Sequence, residues 1–179
     1  VGASLARASR GRTIALVESD RRPAAPPSGS LFDARVYALS PGNVEFLRAL
    51  KVWQSIPAER VTPVHAMRVA GDSPGSQLEF DAYRAGVPEL AWIVEHRELQ
   101  AALWRTLATQ DGLEIVSPAE CASLEIADCA RLALEGGRTL EAELIVGADG
   151  ARSFVRRAAG IPVTELAYEH TALVANFAC

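Results

Sequence analysis

Cysteine, methionine and aromatic residues are scarce in this chain of 179 residues, at three, one and 6% respectively. Cys121, Cys129 and Cys179 are an odd number, widely spaced and without a CxxC pair. That argues against a disulfide framework or a structural zinc site, and for a reducing compartment. Small core or surface positions account for all of them. Long apolar runs are also lacking: none approaches the roughly 20 residues of a membrane-spanning helix, although peripheral membrane contact is compatible with this. Positive charge is not in excess, since 18 Lys+Arg against 22 Asp+Glu leave −4, which argues against a large basic surface for nucleic acid. An initiator methionine is missing, and Val1-Gly2-Ala3-Ser4 reads as the inside of a motif, so the natural start is expected further upstream. What is present, 49% hydrophobic and 22% charged residues, is the composition of a globular chain.

Along the chain, Gly2 to Ser9 reads as a small-residue helix stopped by Gly11. Thr13 to Val17 lacks alternation, as in a parallel strand covered on both faces. The prolines of Pro23 to Ser30 demand a loop. Ser40-Pro41 opens a helix whose apolar face carries Val44, Leu47 and Leu50, widened by Phe46 and Trp53. Met67 to Ala70 and Leu78 to Asp81 alternate across a Gly/Pro turn and predict an antiparallel hairpin. Ala91 to Val94 is a strand, Arg97 to Thr109 an amphipathic helix, and Leu113 to Val116 a strand after Asp111-Gly112. Ala122 to Ala127, Arg131 to Leu134, Leu144 to Val146 and Thr171 to Cys179 are further strands, and Ser153 to Ala159 is a short helix. The order α/β, then β, then α/β predicts two interleaved domains.

Four stretches carry chemistry. From Gly2 to Glu18, a glycine, a small-residue helix, a strand and a terminal acid form the second half of a dinucleotide site. Pyrophosphate would sit on the helix amides and the ribose hydroxyls on Glu18; an ordinary helix–strand pair with a surface glutamate fits the same residues. In Asp33-Ala34-Arg35-Val36-Tyr37-Ala38-Leu39-Ser40-Pro41-Gly42-Asn43, Arg35 is suited to a phosphate or an acidic substrate, or is simply solvated. Glu95-His96-Arg97-Glu98-Leu99-Gln100 puts polar groups at a strand-to-helix junction, suited to an anionic cofactor or to ordinary capping. The sharpest is Leu144-Ile145-Val146-Gly147-Ala148-Asp149-Gly150-Ala151-Arg152-Ser153-Phe154-Val155-Arg156. Its glycines allow a tight turn and close backbone approach, and Asp149 offers an acceptor to a sugar hydroxyl or a cap to the helix.

With these motifs, together with "ALVE", "DARVYALSPGNVEFLRALKVW", "IVEHRELQAALW" and "LIVGADGARSFVRRAAGI", the chain resembles the class A flavin-dependent aromatic hydroxylases, and within them the ubiquinone-biosynthesis hydroxylases. The resemblance implies an α/β fold: a Rossmann-like FAD-binding domain interleaved with a partial β-rich substrate domain. The FAD-binding parts would be 1–63 and 96–162, with a β insertion at 64–95 and the start of the substrate sheet at 163–179. It also implies a monooxygenase taking FAD, with NAD(P)H as co-substrate and O2, that hydroxylates a polyprenylated phenol. Carried over, Gly2 lies near the pyrophosphate and Glu18 at the adenosine ribose. Arg35 lies near the pyrophosphate and active-site mouth, Arg97 on the ribityl-phosphate side, and Asp149 in the Asp-Gly motif that supports FAD and the NAD(P)H step. No general base is nominated, and no metal site is expected. His65, His96 and His170 are read as structural.

Departures from the family are the absent first glycine-rich strand, the absent later Gly-Asp motif and the rest of the substrate sheet. They imply an incomplete hydroxylase, inactive by itself. Partners implied are the ubiquinone-biosynthesis complex proteins, with a cytoplasmic location peripheral to the inner membrane. Alternatives are a hydroxylase of a soluble phenol and a non-catalytic truncated scaffold.

Overall fold

The computed structural model describes residues 2–8, 11–24, 31–169 and 171–175. Part of the expected 23–30 loop, His170 and the end of the expected last strand lie outside the described residues. In chain order the elements are α1 (Gly2–Ala8), β1 (Ile14–Val17), β2 (Val36–Leu39), α2 (Pro41–Ala49), β3 (Val61–Val64), β4 (Ala66–Ala70) and β5 (Gln77–Asp81). These are followed by α3 (Ala82–Ala85), β6 (Ala91–Glu95), α4 (His96–Leu107), β7 (Leu113–Val116), β8 (Cys121–Ile126), β9 (Ala130–Leu134), β10 (Thr139–Ala142) and α5 (Phe154–Ala158). The chain divides into two compact units, Val1–Arg22 with Gln110–Ala172, and Pro23–Thr109 with Leu173–Cys179.

In the first unit β1 and β7 pair in parallel, Ile14 opposite Leu113 and Val17 opposite Val116. The parallel pairing is the one that the unbroken apolar run of β1 predicts, but the strand is not covered on both faces as expected: none of its residues is buried and Ala15 is exposed. Helix α1 packs on β1, and Ala3 is buried there. A separate antiparallel sheet has the order β10-β9-β8; its central strand buries Ala130, Leu132 and Leu134. Helix α5 packs on β8.

In the second unit β6 is the middle strand of an antiparallel sheet ordered β2-β6-β3, which explains why Ala91, Val94 and Glu95 are buried. Pro63 lies in β3 opposite Trp92; β3 is an edge strand, where a residue without an N–H leaves no ladder bond unmade. A 3-10 turn at Trp53–Ser55 packs against both α2 and α4, and these two helices pack on this sheet. Val44, Val52 and Val94 are fully buried. The α2 start is as its sequence predicts: Pro41 in the first turn, and Ser40 Oγ accepting the Asn43 N–H at 3.4 Å. Strands β4 and β5 form the predicted hairpin, Met67 opposite Phe80 and Val69 opposite Leu78.

Some expectations need correction. Phe46 does not widen the buried face of α2; it is exposed, because two residues at about 100° each put it on the side away from Val44. Trp53 has left that helix and meets Trp92 edge-on at 5.7 Å. Leu144–Val146 forms no strand, and Leu144 and Val146 are exposed. An extended apolar segment becomes a strand only beside a partner ladder, and among the described residues 144–146 pair with none. Residues 171–175 form no strand for the same reason. Conversely β2, β3, β10 and α3 were not anticipated.

Candidate functional site

In the second unit, polar groups gather where β6 passes into α4. Glu95 ends β6 with a side chain only 5% exposed. Its Oε1 accepts from Arg60 Nη1 at 3.1 Å, and its Oε2 accepts the Asp33 N–H at 2.5 Å. The Arg60 side chain is nearly as deep, at 10% exposed, with its guanidinium carbon 4.7 Å from the centre of the Phe32 ring. A carboxylate so far from water persists only when paired and hydrogen-bonded.

Asp33 holds the two arginines that the sequence singles out. Its Oδ1 accepts the Arg35 N–H at 3.1 Å and its Oδ2 the Arg97 N–H at 3.2 Å, so it caps α4 from a distant part of the chain. Burial pushes the Asp33 carboxyl up, but the Arg35 and Arg97 amides and the nearby Arg97 and His96 charges win and hold it below its ordinary range. Arg97 Nε faces Asp33 Oδ2 at 3.6 Å and its Nη2 donates to the Leu31 carbonyl at 2.6 Å. The Arg35 carbonyl accepts the His96 N–H at 2.9 Å, and its guanidinium lies 5.7 Å from the Tyr37 ring centre. Tyr37 and His96 are joined Oη to Nδ1 at 3.0 Å. Arg35 and Arg97 therefore share one scaffold, both exposed. Arg35 and Arg97 carry two exposed guanidinium groups on this scaffold, groups suited to an anion such as a phosphate.

Gly2, Glu18 and Asp149 belong to the first unit. Gly2 opens α1 and is half-buried. Glu18 follows β1 and extends its ladder, its N–H donating to the Val116 carbonyl at 3.1 Å. Its carboxylate Oε1 accepts the Asp20 N–H at 3.1 Å and Ser19 Oγ at 3.3 Å. Ala119 N–H donates to the Glu18 carbonyl at 2.8 Å, and Ser117 Oγ to the Asp20 carbonyl at 2.7 Å. The β7–β8 connection is thus pinned to the carboxyl end of β1. It leads directly to Cys121, whose thiol is pushed up by burial and then by the charge of Asp149.

Asp149 serves first as a cap. It bonds the Ser153 hydroxyl through Oδ1 and accepts the Phe154 and Val155 N–H groups on Oδ2 at 2.6 and 3.1 Å. Ser153 Oγ takes the Arg156 N–H at 3.0 Å. Gly150 has φ 81°, and a Cβ on Gly147 would lie 2.9 Å from the Val155 Cβ. Both glycines therefore do what the motif predicts, a left-handed turn and a close approach. Burial raises the Asp149 carboxyl, but the hydrogen bonds from Ser153, Val155 and Phe154 outweigh it and the net displacement is downward. A folded value below the unfolded one gives stability that is present above the unfolded value and lost as pH falls through the folded one. Asp149→Ala is expected to cost about 1 kcal/mol through the lost cap and to remove that part of the acid sensitivity; denaturant melts at pH 7 and pH 3 check it.

The parts played by Arg60 and Tyr37 and the buried role of Glu95 are carried by no motif in the sequence. Alternation in Val36-Tyr37-Ala38-Leu39 was the available signal for β2; nothing local marked Arg60. Among the described residues no group of three or more His, Cys, Asp or Glu is placed to hold a metal ion. No helix there is long and apolar enough to cross a membrane.

A family model described as the FAD binding domain matches residues 2–178. The chain belongs to that family. It is 32% identical over 182 residues to the 3-demethoxyubiquinol 3-hydroxylase of Escherichia coli K12, covering 100% of this chain and 46% of that one. To the mitochondrial ubiquinone biosynthesis monooxygenase COQ6 of Danio rerio it is 31% identical over 175 residues, covering 92% of this chain and 36% of the relative. The chain thus spans less than half the length of these curated relatives. Among solved structures, a mutant of PqsL from P. aeruginosa superposes with a TM-score of 0.73 at 21% identity, over 93% of this chain and 44% of that one. That similarity establishes the Rossmann-like FAD-binding fold. Each unit separately carries residue types such a cofactor can use: in the first an acid at the carboxyl end of a parallel strand, in the second two exposed arginines.

Proposed function

We propose that this chain is the FAD-binding part of a monooxygenase that hydroxylates an aromatic ring of a polyprenylated ubiquinone precursor, using NAD(P)H and O2. The observation that carries the reading is that one carboxylate, Asp33, fastens the backbone amides of both exposed arginines, Arg35 and Arg97. The names of the relatives support the substrate class. Glu18 would accept the adenosine ribose hydroxyls, Arg35 and Arg97 would meet the phosphate side, and Gly2 would allow the pyrophosphate close to α1. Asp149 would support FAD and the NAD(P)H step by holding the turn before α5 in register. Bound FAD supplies the passage of two electrons from NAD(P)H to O2, with one oxygen atom entering the ring and the other leaving as water. The protein's part is to bind, orient and exclude water.

A polyprenyl tail partitions into bilayers, so we place the protein in the cytoplasm, peripheral to the inner membrane, with other ubiquinone-biosynthesis proteins as its neighbours. The test is the full-length protein with added FAD and NAD(P)H. Ring hydroxylation with matching O2 uptake is expected when a polyprenylated phenol is supplied. Turnover restricted to short soluble phenols would overturn the substrate class, and a colourless protein indifferent to NAD(P)H would indicate a scaffold.

A further inference from the structure

We propose that Glu95 is a positioning residue for the flavin site: from within the sheet it sets where the Arg97 guanidinium points. The inference rests on the reading of Arg97 as a flavin contact. Glu95 touches three chain segments at once. Its Oε1 takes Arg60 from the start of the β3 edge, its Oε2 takes the Asp33 amide, and the same Oε2 lies 3.9 Å from Arg97 Nη2. Arg97 is then held on its other sides by Asp33 Oδ2 and the Leu31 carbonyl, both on the segment that Glu95 fastens through the Asp33 N–H.

Removal of the Glu95 charge would loosen both holds on Arg97. The direct attraction at 3.9 Å would go, and the 31–35 segment carrying its other two partners would lose its charge-assisted bond. Arg60 neutralises Glu95 inside the fold, so Arg97, 43% exposed, keeps its charge available to an anion. An exposed arginine on a flexible stem gains affinity for a phosphate when its orientation is fixed beforehand. Glu95 does not reach solvent and is not assigned a contact with the cofactor.

The test is a double-mutant cycle in the full-length protein, with FAD affinity measured by flavin fluorescence quenching and folding followed separately by thermal melts. Glu95→Gln keeps the shape and, with its carbonyl turned to the Asp33 amide, that acceptor, while it withdraws the charge from both Arg60 and Arg97; the melts report the Arg60 side of the loss and the cycle the Arg97 side. Expected is about a tenfold weaker FAD affinity for Glu95→Gln in the wild-type background and less than about a twofold change in an Arg97→Ala background. A structural role alone would weaken FAD equally in both backgrounds, or shift only the melt, and either result overturns the proposal while leaving Arg97 a flavin contact. If Arg97→Ala leaves FAD affinity unchanged, the underlying reading falls with it. Should Glu95→Gln not fold, Glu95→Asp carries the same cycle, since it keeps the charge and withdraws it from Arg97.

Discussion

Arg60→Ala is expected to destabilise the unit around residues 23–109 by about 3–5 kcal/mol, the cost of leaving a buried carboxylate without its partner. Glu95 is 5% exposed, with Arg60 Nη1 at 3.1 Å and Arg97 Nη2 at 3.9 Å. Without Arg60, the Asp33 amide and the more distant Arg97 are left to balance the charge among the described groups. Against a total stability of about 5–15 kcal/mol, that loss is a large share. The variant should unfold at markedly lower urea and shed the order of the 31–35 segment, since Asp33 hangs from Glu95 by its N–H. Replacing the pair together, Arg60→Met with Glu95→Gln, should recover part of the loss, because no unpaired charge is then buried. A cost under about 1 kcal/mol for Arg60→Ala would show that the pair behaves as a surface ion pair.

How far this was legible in the sequence depended on whether the cause was local. The parallel β1 followed from Ile14–Val17, a short run with no polar alternation. The α2 start followed from Ser40-Pro41, and the α5 turn from Gly147 and Gly150; each is decided by a few neighbouring residues. Leu144–Val146 looked like a strand because its composition is that of one, but strand formation depends on a neighbouring ladder that composition cannot supply. Strand β3 is hard to read for the opposite reason: Pro63 weakens the local signal, while pairing with the central β6 overrides it; β2 is only four residues long and is fixed by the same partner. Arg35, Arg97 and Asp149 stood out through their motifs. The buried pair that fastens the scaffold, Arg60 with Glu95, did not, because its logic lies between segments 35 residues apart. Asp149 proved to spend its carboxylate on capping α5, a role the motif allowed but did not select.

The most direct test of the flavin site is the FAD affinity of Glu18→Ala in the full-length protein. The side chain bonds only with its immediate neighbours Ser19 and Asp20 among the described contacts, so its loss should move stability by no more than about 0.5 kcal/mol. As an ionised acceptor for the ribose hydroxyls it should contribute about 1.5–3 kcal/mol to FAD binding, which corresponds to roughly 10- to 150-fold in affinity. The account predicts a folded protein with wild-type melting and a dissociation constant for FAD raised by at least about tenfold. Wild-type flavin affinity in Glu18→Ala would contradict it.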